Sequence, residues 1–251
     1  CLPPHTKELH YFDRHYDEGM DWYERNFEHC TGDRIAGEIT PRYIFLEGVE
    51  QRIRNDLGNP KFIVNLRCPV QRAFSAYKMK LRNFNHDPRT FSFRDSWDLY
   101  PQIVQRGFYA RQLRRYLQYF DREDFLFVRL RDIKRQPLKE LRRICRFLDR
   151  DPDEVSPEDL PEKNPNRASV HRVYWPRILF EKILTTTHRQ QWFRLHSLVS
   201  RVRELVNTVN LRELAVTLDE RDARTLAEEY RSDVRDLRTL TDLELDHWLL
   251  D

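Results

Sequence analysis

The sequence predicts an α/β fold with a mostly parallel central sheet. Four short apolar or alternating segments are separated by stretches with helical periodicity, at residues 9–12, 35–40, 62–66 and 125–130. Strand signals that alternate with helix signals are typical of βα units. The 251 residues are 39% hydrophobic and 34% charged, which favours a single globular domain over residues 1–251 rather than a disordered chain.

The third predicted strand carries the strongest strand signal. Phe62, Ile63, Val64 and Leu66 form a nearly continuous apolar run, as expected of a parallel strand that is covered on both faces. Pro69 then ends the strand and can open a helix.

Three longer helices are predicted from apolar residues that recur at helical spacing. The first follows Gly107, the second follows Pro137, and the last begins at about Asp219. Their predicted apolar faces are Leu113, Tyr116, Leu117 and Phe120; Leu138, Leu141, Ile144, Cys145 and Leu148; and Ala223, Leu226, Ala227, Tyr230, Val234 and Leu237. Residues 149–167 are rich in Pro, Asp and Glu and predict an exposed loop, and residues 170–251 predict a mostly helical C-terminal part.

The composition argues against several classes of function. Lys and Arg number 44 against 41 acids, and the resulting formal charge of +3 does not favour binding to nucleic acid. No apolar run approaches the roughly 20 residues of a transmembrane segment. His5, His10 and His15 recur every five residues, on neither a helix face nor a strand face, so no metal site is expected. The four cysteines form no CxxC pair, which favours free thiols in a reducing compartment.

The junction after the third strand is a candidate anion site. Backbone N–H groups at a helix N-terminus favour phosphate or sulfate, and Arg67 and Ser75 could add a guanidinium fork and a hydroxyl. An ordinary alternative stays open, in which Arg67 pairs with a surface carboxylate and the Ser75 hydroxyl bonds a helical carbonyl.

The same junction resembles a segment of a known family. Its string Arg-x-Pro-x-x-Arg-Ala-x-Ser-x-Tyr is formed by Arg67, Pro69, Arg72, Ala73, Ser75 and Tyr77. This string resembles the 3′-phosphate-binding segment of sulfotransferases that use 3′-phosphoadenosine 5′-phosphosulfate (PAPS). Five further stretches resemble the heparan sulfate sulfotransferases and their bacterial relatives, in the family's order, at residues 7–27, 37–45, 106–120, 125–137 and 233–249. The resemblance implies a P-loop-NTPase-like three-layer αβα fold, PAPS as donor, PAP as product and no metal.

The phosphosulfate loop of that family has no counterpart in this sequence. Members carry, near the N-terminus, a strand and a Lys-Gly-Thr or Arg-Cys-Gly-Thr type loop that holds the 5′-phosphosulfate. The six glycines here are isolated and cannot form a Gly-rich phosphate cradle. We therefore expect that the first strand-loop-helix unit is missing and that this chain alone does not turn over.

The resemblance assigns the role of catalytic base to Glu8. Lys7, Glu8, Tyr11 and Phe12 match the family's Lys-Glu-x-x-Phe-Phe acceptor segment, and the same segment assigns Lys7 and His10 to acceptor binding. A carboxylate at the mouth of an α/β cleft could accept a proton from a hydroxyl or an amine. Without the resemblance, Glu8 is one of 41 acids at a predicted strand start.

The acceptor is expected to lie beside the turn of Thr40, Pro41, Arg42 and Tyr43, which matches the family's Thr-Pro-x-Tyr turn. Heparan sulfate enzymes carry a Lys before this Thr, where the present sequence has Ile39. That difference argues against a highly anionic glycan as the acceptor.

The resemblance assigns further nucleotide contacts to Tyr109, Lys163, Asn164 and Arg167. Tyr109 lies two residues after Gly107 at a helix start, and a buried core tyrosine is the alternative. The other three residues lie in the predicted loop where relatives place a lid over the nucleotide, and solvated loop side chains are the alternative.

The expected function is sulfuryl transfer from PAPS to a hydroxyl or amine of a carbohydrate, glycolipid or small molecule. A kinase-like phosphotransferase and a non-catalytic anion-binding module are the alternatives. Eukaryotic relatives are Golgi proteins with a disulfide in the late loop, but no cysteine follows Pro161 here. A cytoplasmic enzyme of bacterial type is therefore expected, with the Golgi lumen as the alternative for a eukaryotic source.

Overall fold

The structure is a computed structural model that describes residues 1–4, 6, 8–84, 86–159, 169–171, 211–213 and 216–248. Within these residues the α-helices are α1 (Tyr11–Arg14), α2 (Met20–Arg25), α3 (Val49–Leu57), α4 (Pro69–Phe84), α5 (Asp95–Leu99), α6 (Gln102–Gln105), α7 (Tyr109–Tyr116), α8 (Leu130–Arg135), α9 (Pro137–Phe147) and α10 (Glu220–Thr241). The strands are β1 (Phe62–Leu66), β2 (Phe125–Arg129), β3 (Ser169–His171) and β4 (Leu211–Glu213). Short 3₁₀ turns connect several of these elements, Tyr43–Phe45 among them.

A parallel pair of strands, β1 and β2, confirms the predicted α/β class. The two strands are in register with Phe62 opposite Phe125, and helices α4 to α7 form the crossover between them. A parallel pair requires such a long connection. The carboxyl ends of both strands therefore lie at one edge of the sheet, where Arg67 follows β1.

The strand predicted at residues 9–12 is wrong, because these residues enter helix α1. Tyr11 and Phe12 are neighbours in sequence and are both only 1% exposed. A half-buried strand would send these two side chains to opposite faces. The turn begins at His10, which has a left-handed φ of 56°, and its imidazole bonds the Asp13 carboxylate one turn later.

The strand predicted at residues 35–40 is also wrong. The segment contains no regular strand; among the described residues its backbone bonds Cys1 through Ile35 and Gly37, and the Thr40 carbonyl accepts the Tyr43 N–H. Ile35 and Ile39 are both exposed. The alternating apolar side chains Ile35 and Ile39 are therefore not covered by any other element among the described residues.

Strand β1 is confirmed at residues 62–66, but the prediction that both of its faces are covered is wrong. Phe62 packs its ring 4.8 Å from that of Phe120, whereas Ile63 is 42% exposed. Within the described part of the chain, helices and aromatic rings cover only the Phe62 side. Strand β2 is different, since four of its five residues are buried.

The three predicted longer helices are confirmed. In α10 all six predicted apolar residues are buried, and its N-cap is Asp219 as the spacing indicated. Helix α7 buries Leu113 and Tyr116, and Phe120 follows in the next turn. The apolar face of α9 is only half-buried in the described structure.

Helix α10 packs closely on the start of α7. Gly107 lies directly against Tyr230, because a Cβ at Gly107 would come within 2.4 Å of that ring. The Tyr230 hydroxyl donates to the Val104 carbonyl at 2.7 Å. The Asp233 carboxylate accepts the backbone N–H groups of Ala110 and Arg111 at 2.9 and 3.0 Å. The C-terminal helix thereby fixes the position of the α7 N-terminus.

The C-terminal part predicted as mostly helical, residues 170–251, is described only in pieces. Helix α10 belongs to it, and β3 pairs with β4 in antiparallel fashion, with Ser169 opposite Glu213. The rest of residues 172–215 lies outside the described residues. The single-domain organisation stays a prediction.

Candidate active site

A chain of three side chains joins Glu8 to the interior. Oε2 of Glu8 lies 3.3 Å from Nε2 of His10, and Nδ1 of His10 lies 3.0 Å from Oδ1 of Asp13. The Glu8 side chain is 40% exposed, whereas that of Asp13 is 3% exposed. An imidazole between two carboxylates can hold both in place and can pass a proton between them. Glu8 is thus the solvent-facing end of a supported carboxylate relay.

The Asp13 carboxylate is the centre of this group. Besides His10, it pairs with Nε of Arg42 at 3.5 Å and with Nε of Arg14 at 3.8 Å. The structure therefore brings together Glu8, His10 and Arg42, which the sequence assigned separately. Asp13 itself was missed, although its position three residues after His10 could have identified it as a helical-turn partner.

The Thr-Pro-x-Tyr turn encloses a second carboxylate, that of Glu38. Burial raises the pKa of Glu38 to about 7, the nearby Tyr43 and Thr40 hydroxyls lower it, and the charge of Asp13 raises it. Neither carboxylate oxygen completes a hydrogen bond of ordinary geometry within the described structure. Tyr43 and Thr40 are buried, and the Tyr43 hydroxyl accepts the Phe12 N–H at 3.2 Å. Glu38 was missed because its burial depends on distant residues.

The turn therefore lies directly beside the relay. Pro41, the second residue of the turn, is exposed, and Arg42 is half-buried. Burial raises the pKa of the Tyr43 hydroxyl, so this side chain stays neutral at physiological pH.

Replacing Glu38 by Gln is expected to remove a pH dependence of stability. The folded chain binds the Glu38 proton more tightly than the unfolded chain, since its pKa rises from 4.5 to about 7. The stabilisation from this proton is complete below pH about 4.5 and is lost as the pH rises to about 7. We expect Glu38→Gln to flatten the Tm between these pH values and to raise stability at pH 8 by on the order of 2–3 kcal/mol.

Thermal unfolding followed by circular dichroism at several pH values measures this effect. Glu28→Gln is the matched control, because Glu28 is an exposed acid in the same part of the chain. A Tm profile of Glu38→Gln with the same slope as that of Glu28→Gln would contradict the assignment.

The second part of the candidate site begins at Arg67, directly after β1. Arg67 is half-buried, burial lowers its pKa, and no carboxylate of the described residues forms an ion pair with it. The Tyr109 hydroxyl bonds the Arg67 backbone, and burial raises the pKa of Tyr109 to about 12. Tyr109 is thus a buried side chain that fixes the loop carrying Arg67.

The α4 N-terminus follows this loop. The Cys68 sulfur lies against the backbone N–H groups of Val70 and Gln71, which lower the thiol pKa, while burial raises it more strongly. Ser75 is half-buried and lies six residues after Pro69, about 9 Å along the helix axis. The strand-end guanidinium and the helix hydroxyl therefore belong to one continuous β1–α4 unit.

No binding role was predicted from the sequence for two arginines that lie beside the β1–α4 unit. Arg72 donates to the Ile103 carbonyl, which braces α4 against α6. Arg106 lies with its guanidinium 5.1 Å from the centre of the Phe45 ring, and its buried Nε has no hydrogen-bond partner in the described structure. Burial lowers the pKa of Arg106, the charges of Arg42 and Arg72 lower it further, and Glu8 raises it. Arg42, Arg72 and Glu8 therefore all lie close enough to Arg106 to influence its charge, and the excess of positive charge there favours an anion.

Four assigned residues, Lys7, Lys163, Asn164 and Arg167, lie outside the described residues. Among the side chains that are described, no group of His, Cys, Asp and Glu is arranged to hold a metal ion. None of the described helices is both long and apolar enough to cross a membrane.

Comparison with known proteins identifies relatives over most of the part of the chain that carries the candidate site. The sulfotransferase domain family matches residues 6–166. Heparan sulfate glucosamine 3-O-sulfotransferase 6 of Mus musculus is 34% identical over 146 residues, which cover 56% of this chain and 43% of the relative. Heparan sulfate glucosamine 3-O-sulfotransferase 3B1 of Homo sapiens is 33% identical over 147 residues, with coverage of 56% and 38%. The chain therefore spans less than half the length of these relatives.

A solved structure extends the likeness to the whole fold. The crystal structure of a sulfotransferase from Alicyclobacillus acidocaldarius superimposes with a TM-score of 0.67 at 23% identity, and covers 98% of this chain and 87% of its own. At this identity the likeness establishes the P-loop-like αβα fold. Because the family match covers the β1–α4 unit as well as the Glu8 relay, this chain belongs to the sulfotransferase domain family.

Proposed function

We propose that the protein transfers a sulfuryl group from PAPS to a hydroxyl or amine of a carbohydrate or glycolipid. The observation that carries this proposal is the relay of Glu8, His10 and Asp13, with the Arg42 guanidinium paired to Asp13 and the Arg106 guanidinium nearby. The two mammalian relatives described above are named as heparan sulfate glucosamine 3-O-sulfotransferases, which supports a sugar as the acceptor.

Glu8 acts as the base. Its carboxylate takes the proton of the acceptor hydroxyl while that oxygen forms its bond to sulfur, and the bond between sulfur and the bridging phosphate oxygen breaks. PAPS supplies the sulfuryl group and leaves as PAP. His10 and Asp13 fix the carboxylate orientation, since His10 contacts both acids. Arg106 and Arg42 offset negative charge near Glu8.

Arg67 and Ser75 hold the 3′-phosphate of the donor in this proposal, and Tyr109 fixes the Arg67 loop. The half-buried guanidinium of Arg67 lies at the carboxyl edge of the sheet and pairs with no carboxylate among the described residues, so it fits an anionic ligand. Lys163, Asn164 and Arg167 are proposed to complete the nucleotide site. The sequence offers no Gly-rich loop for the 5′-phosphosulfate, so we propose that turnover requires residues beyond these 251.

A cytoplasmic location is proposed on the cysteine pattern alone. The four cysteines form no CxxC pair and none follows Pro161, a pattern that favours free thiols in a reducing compartment.

Arg67→Ala tests the donor site. We expect it to weaken PAP binding by the complete natural protein by roughly 10- to 100-fold, because a charge-assisted phosphate contact is lost. Isothermal titration with PAP measures the change. Arg25→Ala is the control, since Arg25 is exposed on α2 and only bonds the Asp21 carbonyl in its own helix. Equal PAP affinity in Arg67→Ala and Arg25→Ala would reject the assignment of Arg67.

A further inference from the structure

Arg106 lies at a junction between the two parts of the candidate site. Arg72 of α4 donates to the Ile103 carbonyl, three residues before Arg106, so the end of α6 is held against the β1–α4 unit. On the other side, the Arg106 guanidinium lies 5.1 Å from the centre of the Phe45 ring, in the short turn that continues the Thr-Pro-x-Tyr motif. Arg106 therefore reaches from the segment that packs on α4 to the expected acceptor turn.

The backbone around Arg106 is fixed at two further points. The Tyr230 hydroxyl donates to the Val104 carbonyl at 2.7 Å. Gly107 lies so close to the Tyr230 ring that a Cβ there would come within 2.4 Å of it. A side chain on such a fixed backbone loses less freedom when it binds a ligand than a side chain on a flexible loop. The position of Arg106 is therefore set by packing that extends to the C-terminal helix α10.

The Arg106 guanidinium has hydrogen-bonding capacity left within the described structure. A guanidinium carries five N–H donors. Its Nη2 lies 3.5 Å from the Gln102 side-chain oxygen, which is long for a hydrogen bond, and its buried Nε has no partner. Among the acids that the structure describes, none forms an ion pair with it. The side chain can therefore donate several hydrogen bonds to an anion.

Charges of both signs act on Arg106. Burial lowers the pKa of Arg106, and the neighbouring charges of Arg42 and Arg72 lower it further. The charge of Glu8 raises it. Glu8 and Arg106 nevertheless form no ion pair within the described part of the chain, where the Glu8 carboxylate contacts His10 instead. A direct pair would neutralise both groups, whereas a base and a guanidinium that stay separate can act together on one substrate.

We propose that Arg106 is a catalytic residue whose guanidinium holds the oxygens of the sulfuryl group as this group passes from donor to acceptor. The inference rests on the proposed sulfuryl transfer and adds a residue to it. The acceptor oxygen forms its bond to sulfur and gives its proton to Glu8, while the bond from sulfur to the bridging phosphate oxygen breaks and PAP leaves with that electron pair. Arg106 stays protonated throughout and donates N–H groups to the sulfuryl oxygens that take no part in bond making.

Arg106→Gln and Arg106→Lys test this role in the complete natural protein. Loss of one donor at a reacting oxyanion typically costs about 10²- to 10³-fold in kcat. We expect that loss in Arg106→Gln and a smaller one in Arg106→Lys, which keeps the charge but not the planar fork. Arg94→Gln is the matched control, because Arg94 also lies over an aromatic ring, 4.2 Å from the centre of Trp97, but is exposed. This control should keep the parent kcat.

Binding of orthovanadate gives a readout that does not depend on turnover. Vanadate can adopt the five-coordinate geometry of an in-line transfer, and it is titrated calorimetrically into protein that is saturated with PAP. We expect Arg106→Gln to bind vanadate about tenfold or more weakly than the parent protein, because charge-assisted hydrogen bonds are lost. Its affinity for PAP should stay unchanged, since Arg67 and Ser75 hold the nucleotide in the proposed function. Thermal melting shows whether each variant is folded.

Three outcomes would overturn the role of Arg106. The first is equal kcat and equal vanadate affinity in Arg106→Gln and Arg94→Gln. The second is a loss of PAP affinity in place of vanadate affinity. The third is a lower Tm with unchanged vanadate affinity, which would show that Arg106 only braces Phe45. A parent protein that binds no PAP and transfers no sulfuryl group would instead overturn the proposed function itself.

Discussion

Glu8→Gln is expected to lower the kcat of sulfuryl transfer by the complete natural protein by about 10²- to 10⁴-fold, the usual contribution of a positioned general base. Glutamine keeps the size of the side chain but cannot accept the acceptor proton. Because the Glu8 side chain pairs with His10 and has no contact with Arg67 among the described residues, the affinity for PAP should stay unchanged. Steady-state kinetics with PAPS and a sugar acceptor, together with PAP titration, measures both quantities.

Two further variants, Glu18→Gln and Glu38→Gln, test whether Glu8 is the base. Glu18→Gln, at an exposed acid of the following turn, should keep the parent kcat. Glu38 is the rival base, because its pKa of about 7 is close to the operating pH and Asp13 is near it. Full activity in Glu8→Gln combined with a large loss in Glu38→Gln would transfer the role of base to Glu38.

Asp233→Ala is expected to destabilise the fold by roughly 2–4 kcal/mol. Both oxygens of this buried carboxylate accept backbone N–H groups at the start of α7, from Ala110 and Arg111. Alanine would leave the buried N–H of Ala110 and the partly buried N–H of Arg111 without this partner. For a chain of this size the Tm should fall by roughly 5–15 °C, which differential scanning calorimetry measures.

Asp236→Ala is the matched control for this effect. Asp236 lies three residues later on the same helix and pairs with Arg114 at 2.8 Å, with both side chains largely exposed. Exposed ion pairs contribute about 1 kcal/mol or less. Equal destabilisation by the two alanine variants would show that the Asp233 contacts are not the source of the stability.

The elements that were predictable from the sequence are those specified by local periodicity. The apolar face of α10 recurs at helical spacing, and all six of its predicted residues are buried. The apolar run of residues 62–66 identified strand β1, but it did not show that the Ile63 side of the strand is exposed. Whether the face of a strand is covered depends on which other elements pack against it. The apolar pattern of residues 9–12 is typical of a strand. In the structure His10 instead contacts Asp13 one turn later, and helix α1 begins at Tyr11.

The residues of the site could be predicted from the sequence only where they belong to a recognisable motif. The β1–α4 string and the Glu8 segment led directly to Arg67, Ser75 and Glu8, and their roles stay predictions. Asp13, Glu38 and Arg106 were missed, because their importance comes from burial and from neighbours distant in sequence. No periodicity in the chain indicates, for instance, that Arg106 lies against Phe45.

The link between Asp233 and the start of α7 has a consequence for biosynthesis. The bonded residues are 122 and 123 positions apart, and α7 carries Tyr109, which fixes the Arg67 loop. A nascent chain emerges from the ribosome N-terminus first. The loop that carries Arg67 therefore cannot be held in its final position until α10 has been translated, more than 120 residues after the start of α7.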